Sequence, residues 1–119
     1  MNRWRTVYAA LRDAGIPVSM SGQRTGVCCR SECVVDDCGA VGYERSCLSG
    51  TASCRVWLLC PIDQPDGLSE LAARVRVALA PLVRERLLHL SVPLSATMVE
   101  DDIAALSAYI EYVSYYSDK

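Results

Sequence analysis

Apolar positions along this chain follow two spacings, and the spacing changes where glycine or proline intervenes. Trp4, Val7, Tyr8 and Leu11 recur at helical intervals and predict a helix over 2–14, with Gly15 as its stop and Pro17 just beyond. A polar stretch with two glycines, 19–26, reads as a loop. Residues 31–37 read as a short strand, and Asp36-Asp37-Cys38-Gly39 as a turn. The glycine-containing stretch 39–50 reads as a hairpin loop. In 51–61 the period is two: Cys54, Val56, Leu58 and Cys60 share one face, while Ser53, Arg55, Trp57 and Leu59 share the other. Pro61 closes that strand.

A second helix is predicted from 66 to about 80. Its stripe is Leu68, Leu71, Ala72, Val75, Ala78, Leu79 and Leu82, with the Asp66 carboxylate as N-cap. Pro81 should end or kink it. Over 86–92 the alternation returns, with Leu88, Leu90 and Val92 on one face and Leu87, His89 and Ser91 on the other. The last segment fits both periods. Its Tyr, Val and Ile content favours a helical turn at 101–105 followed by a strand over 107–116. The order α-β-β-α-β-β predicts one α+β domain over 1–119: an antiparallel β-sheet of about four strands with helices packed on one face.

The chain has 119 residues, 51% of them hydrophobic, enough for a core without metal or disulfide staples. The formal net charge is −2 and no run of Lys and Arg follows one face, which argues against phosphate-driven nucleic-acid binding. The apolar run 7–11 is broken by Arg12 and Asp13, too short for a signal-peptide core. No stretch approaches the roughly 20 apolar residues of a membrane span. The expected compartment is the cytoplasm, where thiols stay reduced. Seven cysteines cannot all pair within one chain.

Those cysteines carry the main chemical question. Their spacings in 28–38 are adjacent, four apart and five apart, not the Cys-x-x-Cys knuckle that presents two thiolates to one zinc ion. Cys54 and Cys60 alternate with Val56 and Leu58, as small apolar residues do in a strand. His89 is the only histidine, and no activated nucleophile stands beside it in sequence. Glu100-Asp101-Asp102 reads as a helix-capping group before Ile103, and Asp36-Asp37 as turn residues. The glycines form neither a dinucleotide fingerprint nor a P-loop. Trp4 and Trp57 read as core or interface anchors. The expectation is no catalytic centre, no metal and no cofactor.

The order of segments resembles the tail terminator, or minor capsid and head–tail joining, proteins of long-tailed bacteriophages. The resemblance runs through Gly26-Val27-Cys28-Cys29, Cys33-Val34-Val35, the loop 39–50, the strand ending at Pro61 and the helix from Asp66. It continues through Glu100-Asp101 and Ile110-Glu111-Tyr112-Val113-Ser114-Tyr115, and so spans nearly the whole chain. Glu32 and Cys33 stand where that pattern has Pro and Tyr, and Asp36 where it has a third Val.

The resemblance implies a structural virion protein, not an enzyme. It would form a homo-oligomer, a hexameric ring, that caps the tail tube and ends its polymerisation. The ring would contact the tail tube protein and a head-completion or connector protein, and DNA would pass through its lumen without specific binding. It would sit at the head–tail junction of the virion, be assembled in the host bacterial cytoplasm, and have no membrane partner. Gly39, Tyr43, Glu44, Arg45 and Trp57 are the expected interface residues. A head-completion adaptor at the same junction and a cysteine-rich metal-binding module are the alternatives.

Overall fold

The computed structural model describes residues 4–42 and 49–117. Helix α1, Trp4–Asp13, opens the chain and is followed by strands β1 Val18–Met20, β2 Glu32–Gly42 and β3 Ser49–Pro61. Helix α2, Gly67–Arg84, leads to β4 His89–Val92 and β5 Met98–Glu100. A 3₁₀ turn, Asp101–Ile103, precedes the long last strand β6, Ala105–Ser117. The sheet is six-stranded, ordered β1-β2-β3-β6-β4, with β5 also on β6. It is mixed: β1 and β2 are parallel and every other pair is antiparallel. The α+β class agrees with the pattern along the chain; the expected all-antiparallel sheet of about four strands does not.

Two of the added strands are only three residues long, Val18–Met20 and Met98–Glu100. That is too short for a period to register. Ser19 and Met20 of β1 fall inside the segment 19–26 read as a polar loop. β1 is stitched to β2 at both ends: Cys33 N donates to Pro17 O, and Ser21 N to Val35 O. The crossover between β1 and β2 is held by Arg24, whose Nε lies 3.0 Å from Glu32 Oε1 and whose Nη1 donates to Gly26 O. The Nε contact lacks hydrogen-bond direction, so it acts as an ion pair.

β2 does not turn at Asp37-Cys38-Gly39. The register slips there, with Asp37 opposite Cys54 and Gly39 opposite Ser53, so the turn-favouring residues form a bulge and the strand runs on to Gly42. Of the segment 39–50 read as a loop, 39–42 and 49–50 are strand, and 43–48 lie outside the described residues. β6 runs against β3 from Ala105↔Pro61 to Ser117↔Ser49 with no slip. Thirteen-residue strands reach about 43 Å, which accounts for the molecule's 49 Å long axis.

Both helices pack on one face of the sheet. Val7 and Leu11 of α1 and Leu68, Leu71, Val75 and Leu79 of α2 meet Cys33, Val35, Cys54, Val56, Leu58, Cys60, Ala108, Ile110 and Tyr112. The face of β3 expected to be apolar is thus the core face. α1 ends at Gly15, which adopts φ +78° while Ile16 N donates back to Leu11 O. Asp66 occupies the N-cap of α2 but its carboxylate makes no capping bond.

α2 also continues through Pro81. Its missing N–H leaves the carbonyl of Val77 on a turn whose side chain is 76% exposed, where water can solvate it. The extra turn brings Leu82 onto the core and lets its carbonyl accept from Leu87 N and Leu88 N. Beyond it Leu88 is buried and Leu90, opposite Tyr112, is 43% exposed at the sheet edge; the ladder of β4 then slips, which sets Val92 opposite Glu111. The expected common face of Leu88, Leu90 and Val92 is therefore broken.

Burial pushes the Cys33 thiol up from 9.0 to about 12, partly opposed by Arg74. Burial raises Cys28, Cys60 and Tyr112 as well. The folded Cys33 keeps its proton where the unfolded chain releases it. Its stabilising contribution is full below about pH 9 and is lost as pH rises toward 12. Urea unfolding should accordingly show stability falling from pH 8 to pH 10, with a shallower fall in Cys33→Ala. A second expectation concerns Gly67, where an added Cβ would lie 2.8 Å from Cys60 Cβ and 3.0 Å from Ser31 Oγ. Gly67→Ala should destabilise by about 1–3 kcal/mol in the same assay. Ala104→Gly, at a left-handed position, should be neutral or stabilising by about 1 kcal/mol.

Candidate assembly surface

Among the described residues no helix covers the other face of the sheet, and its residues follow from the register. Val34 lies opposite Trp57, and Trp57 opposite Tyr109. One row along, Asp36 lies opposite Arg55, and Arg55 opposite Glu111. The next row holds Gly39, Ser53, Val113 and His89. An apolar and aromatic row thus borders a charged one across three neighbouring strands.

The two rows are locked together. The Trp57 and Tyr109 ring centroids are 4.9 Å apart at 58°, a tilted aromatic pair. The Arg55 guanidinium carbon sits 4.3 Å from the Tyr109 centroid, while its Nε donates to Glu111 Oε1 at 2.8 Å. Ser91 Oγ donates to Glu111 Oε2 at 3.4 Å. Arg55 is therefore held between a ring and a carboxylate and presents a flat, pre-ordered surface. Ordering of this kind lowers the entropy lost on docking.

At one end this face is closed by a small second cluster of Cys28, Leu59 and Ala105, with Val34 and Ile103 against it. Cys28 N donates to Ile103 O at 2.8 Å, so the β1–β2 crossover is tied to the 3₁₀ turn. Glu100, expected to cap a helix, instead accepts from Ser107 Oγ at 3.1 Å. Between this end and the aromatic row lies a shallow depression of about 250 Å³ lined by Val34, Trp57, Leu59, Glu100, Ile103 and Ser107.

Two of the five expected interface residues come together here. Trp57 is central, and Gly39 stands two rows away on the same face. Tyr43, Glu44 and Arg45 lie outside the described residues. Arg55, Tyr109 and Glu111 were missed as a group, because what joins Arg55 to Glu111 is a cross-strand pairing of residues far apart in sequence, with no local signal. His89 is exposed on edge strand β4. The Cys28 and Cys60 thiols donate to backbone carbonyls, of Arg30 and Gln64. Among the described residues no three of His, Cys, Asp and Glu gather as a metal site. No described helix is long and apolar enough to cross a membrane.

Arg55 and Glu111 are partly exposed, with side chains at 37% and 18%, so water screens their attraction. A double-mutant cycle with Arg55→Ala and Glu111→Ala should give a coupling of about 0.2–1 kcal/mol that shrinks as salt is raised. A coupling insensitive to salt would mean that the pair acts through packing instead.

No family model matches this sequence, and no curated protein matches it.

Proposed function

We propose that this chain is a structural subunit that associates with copies of itself into a closed ring and caps the end of a bacteriophage tail tube at the head–tail junction. The observation that carries the reading is the uncovered sheet face, where Val34, Trp57 and Tyr109 form a half-buried apolar row beside the ordered Arg55–Glu111 pair. An aromatic and arginine-bearing face of this kind matches the composition of interface cores. Closed cyclic symmetry is how repeated head-to-tail contacts between identical copies come to an end. The resemblance in segment order supplies the tail tube and the head connector as neighbours, and six as the number of subunits.

The test is native mass spectrometry and negative-stain imaging of the purified protein, alone and with tail tubes. The expected result is a ring, free or at tube ends. Trp57→Ala should fold but assemble about 30-fold more weakly, the effect of removing an interface hot spot. A monomer that stays monomeric in both conditions, or a single copy bound at tube ends, would overturn the reading.

A further inference from the structure

The helix layer and the β5 corner of the molecule carry opposite charge, and each also exposes apolar side chains. Helix α2 is electrically divided along its length. Asp66 and Glu70 stand at its start, whereas Arg74, Arg76 and Arg84 occupy the rest, followed by Glu85 at the C-cap and Arg86. This is the distribution that the helix dipole favours. Beside Arg74, an open groove of about 340 Å³ runs between the end of α1 and α2, lined by Ala14, Ile16, Ala73, Val77 and Ala78. Val77 is 76% exposed at its rim.

The corner where β3 ends is acidic. Ile62 N donates to Ala104 O and Ala104 N to Asp101 O, which joins the end of β3 to the 3₁₀ turn. Around this junction stand Asp63, Asp101 and Asp102, all exposed. Among them are apolar side chains about half exposed, Ile62 at 47%, Met98 at 41% and Val99 at 55%. Val99 lies opposite Leu106 in the ladder, and Leu106 packs toward the helix side of the sheet. Arg74, Asp63, Asp101 and Asp102 form no ion pair among the described residues.

We infer that the groove beside Val77 and Arg74 on one copy receives the corner of Ile62, Val99, Asp101 and Asp102 on the next copy of this chain. The occupant is a second copy because one chain carries both halves of the match, apolar to apolar and basic to acidic, at separate places on its surface. Each copy therefore satisfies one neighbour with its helix layer and another with its corner, the head-to-tail arrangement that closes into a ring. With a net charge of only −2, whole-molecule repulsion does not oppose the approach. The inference rests on the ring reading and names its contact, distinct from the Trp57 face.

The experiment uses the full chain and charge reversal. Arg74→Glu, and separately Asp101→Arg with Asp102→Arg, should each retain the wild-type thermal midpoint, since all three side chains are exposed. Each should weaken self-association by roughly ten-fold or more in sedimentation, because like charges then face one another. Combining all three substitutions in one chain, or mixing the two variants, should restore association. Raising the salt should weaken the wild-type assembly and the restored one alike. Wild-type assembly that is unchanged by either reversal overturns the inference and leaves the ring reading intact. Self-association that follows the charge pattern but gives no tube capping overturns the ring reading and leaves this contact standing. Loss in both reversals without restoration on combining them also overturns the contact.

Discussion

The pairing of β3 with β6 sets the position of everything else. β3 lies in the middle of the sheet and needs a partner on both edges; β2 supplies one from nearby in sequence, and β6 supplies the other from the far end of the described chain. Because the ladder runs the whole length of both strands without a slip, the alternation of β3 is transferred unchanged to β6. Val56 and Leu58 bring Ile110 and Ala108 to the helix side, and Arg55 and Trp57 bring Glu111 and Tyr109 to the uncovered side. A shift of one residue would exchange the two faces.

The cysteines illustrate how strand position decides the role of a residue type. Cys33, Cys54 and Cys60 fill core positions between branched aliphatic side chains, where a small polarizable group packs well, and burial raises the thiols of Cys33 and Cys60. Cys29, outside the sheet, is exposed. The same chemistry is thus divided between interior filler and surface group by backbone position.

Much of the fold was legible because its periods are long. The stripe of α2 and the alternation of Cys54, Val56, Leu58 and Cys60 each extend over enough residues to outvote local irregularity. The choice of a helical turn and then a strand at the end of the chain matches the 3₁₀ turn and β6. Reading failed where a local signal was overruled by tertiary context. Asp37 and Gly39 signal a turn, yet they form a bulge because β3 continues alongside them. Pro81 signals an end, yet the helix persists because Leu82 still has core to cover. β1 has no signal of its own and exists through its bonds to β2. For the surface, Trp57 could be singled out by residue type, but its setting among Tyr109, Arg55 and Glu111 depends on pairing across the sheet.

The late arrival of β6 has a consequence for synthesis of the chain. Pro61 and Ala105 are the closest residues in sequence that pair between β3 and β6. At about 5–20 residues per second a ribosome takes several seconds to cross that interval. In the interval between β3 and β6 leaving the ribosome, the β2–β3 hairpin has the free edge of β3 unpaired and Trp57 without Tyr109. A bare edge of that length invites pairing with another nascent chain. Productive yield should therefore depend on how closely ribosomes are spaced along one message, and on chaperones that shield the hairpin until its last partner is made.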